Sequence, residues 1–254
     1  MKKFRSLLAS AAVAVGALFG ASQAQAAPVD LALSLVIDVS GSVSTAEYNL
    51  QMDGYANAFR DAAIQTNMLG GTYGATAVNV VFFASNFYTT SLDSFAVLSS
   101  AAEIDAFADV LDNFARPGSG GTAIYTGTNR AIDLMLAAIG AGGLLEGTDN
   151  LVIDVSGDGT SSTTADQAAR DRAAANNMTI NGLPIGGTSI NNYYLNNVIT
   201  ADGFIEPAAD FADFQAAVRR KIFVETGGDV PEPSTLALVG LALAGLARVS
   251  RRKA

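Results

Sequence analysis

Val36-Ile37-Asp38-Val39-Ser40-Gly41-Ser42-Val43-Ser44 decides how this chain folds, because it holds the end of one element, a loop and the start of the next. Upstream, Val29 to Ile37 is a mostly apolar run of strand length, the pattern of a strand buried on both faces. Downstream, Ser44-x-x-Glu47 fits a capping box. Behind it Tyr48, Met52, Tyr55 and Phe59 recur at helical spacing. A buried strand therefore runs into a short polar loop and straight into an amphipathic helix. The string Val-Ile-Asp-Val-Ser-Gly returns at 152–157, but that copy continues Asp158-Gly159 and lacks the second serine. It reads as convergent strand-end chemistry, not as a duplicated half-site.

The alternation continues outward. Ala77 to Ala84 predicts a strand, and Phe95 to Leu98 a shorter one close enough to pair with it as a hairpin. Ile104, Phe107, Leu111 and Phe114 predict a second helix, and Ile132, Met135, Leu136 and Ile139 a third. Leu151 to Val155 is again a buried strand, Thr164-x-x-Gln167 caps a helix reaching Asn176, and Met178 to Ile185 and Phe204 to Ile205 predict further strands. Asn191-Asn192-Tyr193-Tyr194 reads as a polar surface loop or short helix with no chemistry attached. Phe211, Phe214, Val218 and Ile222 predict a last helix, opened by Pro207 and closed by Arg219, Arg220 and Lys221 at its negative dipole end. The expected fold is α/β: a doubly wound, mostly parallel sheet with one antiparallel edge hairpin and helices on both faces. Such sheets bind ligands at the carboxyl ends of their strands.

Composition narrows the chemistry found there. The 254 residues, half of them apolar, allow one to two domains with a sizeable core and exclude global disorder. The chain has no histidine, cysteine or tryptophan, which excludes Ser-His-Asp and Cys-His nucleophiles, His/Cys zinc sites and disulfides. Its four lysines are Lys2, Lys3, Lys221 and Lys253, so neither a phosphate-cradling lysine nor a Schiff-base lysine lies between residues 4 and 220. What remains at the first strand end is oxygen. Asp38, Ser40 and Ser42 can converge on one point in a loop turned by Gly41, and a carboxylate with two hydroxyls suits Mg²⁺ or Mn²⁺. The loops Gly118 to Thr122 and Ser156 to Thr160 lie on the same edge and can complete the shell. Taken alone, Asp-x-Ser-x-Ser is equally a helix-capping turn. Asp154 reads either as a hydrogen-bond acceptor behind the site or as the cap of a neighbouring turn.

Asp38-x-Ser40-x-Ser42, then Thr122, then Asp158 followed by glycine, resembles the metal-ion-dependent adhesion site of the von Willebrand factor A (VWA) fold, over residues 28–226. Gly121 to Ile124, Val152 to Gly159, Thr179 to Ile185 and Phe211 to Val224 resemble an uncharacterised bacterial branch of that fold. The resemblance implies that Ser40, Ser42 and Thr122 bind the cation directly or nearly so, and that Asp38 and Asp158 act directly or through water. It also implies an open coordination position filled by an acidic group of a partner, and a slide of the last helix linked to binding. One departure is Gly157, where the wider fold carries Thr or Ser; it is expected to loosen the loop. The readings weighed are a metal-dependent binding module and a structural matrix component in which the cation only stabilises the loops. An Mg²⁺-dependent hydrolase with Asp38 as nucleophile is disfavoured. It needs a second carboxylate at position 40 and a phosphate-holding base, and Arg116 alone is near.

Both ends carry targeting signals. Lys2, Lys3 and Arg5, the apolar stretch Leu7 to Phe19 and Ala24-Gln25-Ala26 form a secretory signal peptide, residues 1–26. Val230-Pro231-Glu232-Pro233-Ser234-Thr235, the apolar run to Ala247 and the basic end Arg248 to Lys253 resemble the PEP-CTERM sorting signal of Gram-negative bacteria, residues 230–254. Its short apolar helix is expected to span the membrane transiently, basic end inside. That resemblance implies an exosortase-type processing enzyme, and export across the inner membrane to the cell surface or an exopolysaccharide matrix. The alternative is a protein anchored in the inner membrane and facing the periplasm. Residues 27–229 form the domain between the signals. Residues 27–230 hold 8 basic and 23 acidic residues, net −15, which repels nucleic acid and anionic lipid.

Overall fold

The computed structural model describes residue 26 and residues 28–228; the expected signal peptide and the expected apolar run of the C-terminal segment lie outside the described residues. Among the described residues no helix is long and apolar enough to cross a membrane. Strand β1 (Leu31–Asp38) is buried along its whole length and forms the centre of a six-stranded sheet. It pairs in parallel with β2 (Thr76–Phe83) on one side and β5 (Leu151–Gly157) on the other, and β5 pairs in parallel with β6 (Met178–Pro184). Beyond β2 the expected edge hairpin is present in two pieces. β3 (Phe87–Tyr88) and β4 (Ala96–Leu98) both run antiparallel to β2, at opposite ends of it. The strand expected at Phe204–Ile205 is reduced to a single bridge between Gly182 and Ile205.

Helices α1 (Thr45–Phe59), α2 (Ala62–Met68), α3 (Ala101–Asp112) and α7 (Phe214–Glu225) bury apolar side chains against one face of the sheet, with Leu33, Leu35, Phe82 and Phe214 at its centre. Helices α4 (Ile124–Ile139), α5 (Thr163–Ala175) and α6 (Thr188–Asn197) cover the other, over Val36, Phe83, Ile153 and Tyr194. The alternation of side chains along each buried strand feeds both layers, which is why β1, β2 and β5 read as mostly apolar runs, interrupted at Ser34, Asn79 and Asp154. The capping box at Ser44 and Glu47 is formed as expected. Two helix starts differ from expectation. Helix α5 begins at Thr163 behind Ser162, not behind Thr164. Helix α7 begins at Phe214 behind Asp213, so Pro207 and Phe211 lie before it, Phe211 in a turn.

The chain leaves β1 towards β2 and later returns on β1's other side as β5. The sheet's order therefore reverses between β1 and β5, and the crevice outside their carboxyl ends is where open α/β sheets bind ligands.

Candidate metal centre

Register brings the first two carboxylate loops together. Ile37 pairs with Ser156, so Asp38 and Gly157 end their strands side by side, with Asp158 one residue further. The third loop reaches the same edge along the backbone: Gly41 N–H donates to the Gly120 carbonyl at 2.7 Å, and Ala123 N–H to the Ala84 carbonyl at 2.8 Å. Gly121 N–H donates to Ser85 Oγ at 2.7 Å. Arg116, the base near these loops, donates to the carbonyls of Val39 and Ser40, both at 2.8 Å, and so holds the Asp38 loop from behind.

All five expected residues converge. Ser42 Oγ donates to Asp158 Oδ1 at 2.7 Å, Ser40 Oγ and Ser42 Oγ lie 3.1 Å apart, and Thr122 Oγ1 donates to Ser40 Oγ at 3.1 Å. Asp38 Oδ1 accepts from Ser40 N–H at 2.7 Å, whereas its Oδ2 is buried and accepts nothing. An octahedral Mg²⁺ with oxygens at ~2.1 Å separates neighbouring ligands by about 3 Å, close to the spacings in this chain of contacts. Three hydroxyls and the Asp158 carboxylate linked at cation-shell spacing, with a buried carboxylate oxygen left without a donor on the adjoining Asp38, fit a hard divalent ion. Among the described residues no group of three or more Asp, Glu, His or Cys is placed to hold a metal, so the fit rests on two carboxylates and three hydroxyls. The set is graded in exposure: Asp38 and Ser40 are buried, Thr122 and Asp158 half-buried, Ser42 exposed. Burial raises the Asp38 carboxyl to about 6, and the charge of Asp158 adds to the rise.

Gly157 does not loosen the loop. A side chain there would place its Cβ 2.8 Å from Asp38 Oδ2 and 2.9 Å from the Tyr194 hydroxyl, so only glycine fits between them. Tyr194 is fully buried, its hydroxyl has no partner, and burial with the nearby Asp38 charge raises it well above the usual phenol range. The segment expected to be a plain polar loop or short helix is thus α6, and it carries a side chain into the site's floor. Its neighbour Tyr193 donates to Asp166 Oδ2 at 2.6 Å. Asp166 in turn accepts from Ser161 Oγ and from Tyr125 N–H in the first turn of α4.

Asp154 takes neither role expected of it. Its carboxylate faces α7, where Lys221 Nζ lies 2.6 Å from Oδ1 and 2.5 Å from Glu225 Oε1, all three side chains fully buried. None of Arg219, Arg220 and Lys221 closes the dipole end as expected, because α7 runs on to Glu225 with no basic residue in its last turn; Arg219 and Arg220 face outward and pair with Asp61 and Glu206. The signals that could have found this cluster are the lone lysine of the domain, a carboxylate inside an apolar strand, and the i, i+4 spacing of Lys221 and Glu225.

The parallel sheet, its helices on both faces and the oxygen cluster at the switch point define a VWA-like domain. The chain belongs to the family described as "Protein of unknown function (DUF1194)", which it matches over residues 28–230. Residues 229–253 match the PEP-CTERM protein-sorting motif, a signal of exported surface or extracellular proteins. No curated protein sequence matches the chain. Among solved structures it is similar to proximal thread matrix protein 1 from the mussel byssus with a zinc-occupied MIDAS motif, the metal-ion-dependent adhesion site (17% identity, 79% of this chain, 47% of that one, TM-score 0.55). It is also similar to the pilus adhesin SpaC from Lactobacillus rhamnosus GG (15% identity, 78% and 30%, TM-score 0.56). A von Willebrand factor type A protein from Catenulispora acidiphila is a third such structure (16% identity, 80% and 44%, TM-score 0.53). The chain spans less than half the length of each, and the likeness is one of fold.

Proposed function

We propose that this protein is an exported binding module. Asp38, Ser40, Ser42, Thr122 and Asp158 hold one Mg²⁺ or Mn²⁺, and an acidic group on a protein or exopolysaccharide ligand completes the shell. The observation that carries this reading is the run of Thr122, Ser40, Ser42 and Asp158 oxygens spaced as cation ligands, next to an Asp38 carboxylate with one buried oxygen unpartnered, on an edge that opens to solvent at Ser42. The sorting motif supports export, transient membrane anchoring and handling by an exosortase-type enzyme at the cell surface. A binding role is favoured over hydrolysis. Position 40 offers a hydroxyl instead of a second carboxylate, and Arg116 is committed to two backbone carbonyls. The net acidity of the domain disfavours nucleic acid as a ligand.

The test is retention of the domain on its own cell surface and exopolysaccharide, with Mg²⁺ and with chelator. The reading expects retention with the cation and loss with chelator or with Asp38→Ala. Retention untouched by chelator, together with a lower melting temperature, assigns the cation a stabilising part in a matrix component instead. Intact-mass measurement of surface-released protein checks the tail: a form still ending at Ala254 overturns processing.

A further inference from the structure

Lys221, Asp154 and Glu225 meet beneath α7 in an arrangement unlike an ordinary buried ion pair. The three groups come from α7 and strand β5, and Asn181 Nδ2 on β6 donates to Glu225 Oε1 at 2.8 Å. The Phe204 ring lies 5.9 Å from Nζ. Two carboxyl groups face one amine, so full ionisation leaves a net buried negative charge, which is strongly disfavoured. Burial accordingly raises both carboxyls, Glu225 to about 7, so a proton is available inside the cluster near neutrality. The geometry is equally unusual. Nζ makes its directed hydrogen bond to Glu225 at 2.5 Å; Asp154 lies 2.6 Å away, yet neither of its oxygens accepts a well-directed bond. An amine, an under-bonded carboxyl and an acid that touches the amine are sealed in one pocket.

We propose that Lys221 and Asp154 condense to an intramolecular amide, with Glu225 as the proton relay. The Nζ lone pair attacks Asp154 Cγ, the N–C bond forms, and one C–O bond breaks. Two of the three ammonium protons depart with that oxygen as water, so a carboxylate and an ammonium become an amide and H₂O with nothing oxidised or reduced. Glu225 accepts a proton from the nitrogen, returns it to the leaving oxygen and is regenerated. Contact between the reactants replaces a bimolecular encounter, and desolvation favours the neutral amide over a buried pair of charges. The link ties α7 to β5 in a chain with no cysteine, the constraint that a disulfide supplies elsewhere. It stands apart from the cation reading.

Intact-mass measurement of the folded full-length protein decides this. The expected mass is ~18 Da below that of the unlinked chain with the same termini, the loss of one water. Digestion should yield one branched peptide joining the Asp154 and Lys221 segments, and the link should survive denaturant. Glu225→Gln and Lys221→Arg should each restore the full mass. A wild-type protein of full mass overturns the proposal, and because the wild type decides, a variant that fails to fold does not obscure the result. The proposal is equally overturned if the deficit maps to a cyclic imide at Asp53-Gly54, Asp158-Gly159 or Asp202-Gly203.

Discussion

Strand β5 ends in one acidic cluster and carries another in its middle, four residues apart, and the two are managed in opposite ways. At the edge, the half-buried Asp158 accepts from the exposed Ser42, and the buried Asp38 beside it keeps an oxygen with no donor. In the interior, Asp154 meets the one lysine of the domain. The first cluster has no basic side chain among its five residues; the second contains Lys221. A carboxylate pair at an edge lined by hydroxyls and open to solvent at Ser42 can be reached by an ion, whereas one sealed under a helix must be neutralised by the fold itself.

The largest effect that would break this contrast is loss of Lys221, whether it acts as ion partner or as amide donor. Lys221→Met leaves two buried carboxyls without a partner and should destabilise the domain by about 3–5 kcal/mol in denaturant unfolding. Ser42→Ala at the exposed rim should change stability without cation by less than about 0.5 kcal/mol. If the two variants unfold alike, the interior cluster is not what holds α7.

Next comes the external cation. At a hundredfold excess over its dissociation constant, Mg²⁺ or Mn²⁺ should raise stability by about 2.7 kcal/mol, and Asp38→Ala should abolish the gain. The gain should depend on pH. The Asp38 carboxyl is raised in the folded state to about 6, so the cation-free fold is favoured at low pH and loses stability as pH climbs from the unfolded value of 3.8 through 6. Binding needs the ionised form, so the cation's stabilisation should be small at pH 5 and level off above pH 7 in calorimetric melts. A flat profile would remove Asp38 from the ligand set.

Gly157→Ser tests how tightly the floor is closed. Its Cβ would meet Asp38 and Tyr194 inside 3 Å, an overpacking that should cost about 1–3 kcal/mol and weaken cation binding together. Tyr194→Phe removes a buried hydroxyl that has no partner and should alter stability by less than about 1 kcal/mol. The smallest expected effect concerns α7. The helix slide implied by the VWA resemblance supposes a helix placed by apolar packing alone, but Lys221 and Glu225 pin it to β5 and β6. Hydrogen exchange across residues 214–225 should therefore be the same with and without cation. Faster exchange on binding would restore the slide.

Much of this was legible because it is local or periodic. Apolar runs, capping residues and helical spacing located β1, β2, β5, β6 and most helices, and a strand end followed by Asp-x-Ser-x-Ser marked the edge where five oxygens meet. Boundaries slipped where no cap is used: Ser162 and Asp213 make no side-chain bond to the helices they precede. The short helix α2 was missed because seven residues carry too little period to show.

The chain's own order of residues determined the α/β class, the oxygen-bearing side chains of the first loop, the exclusion of histidine and cysteine chemistry, and the C-terminal sorting motif, since each rests on composition or on neighbours along the chain. Tertiary structure alone decided that Asp154 belongs to Lys221 and not to the metal edge, that Gly157 is closed over by Tyr194, and that Arg116 serves the backbone of the Asp38 loop. Those three pairings join residues 37 to 77 positions apart, and nothing local records which face of a buried strand a side chain will share with a distant helix.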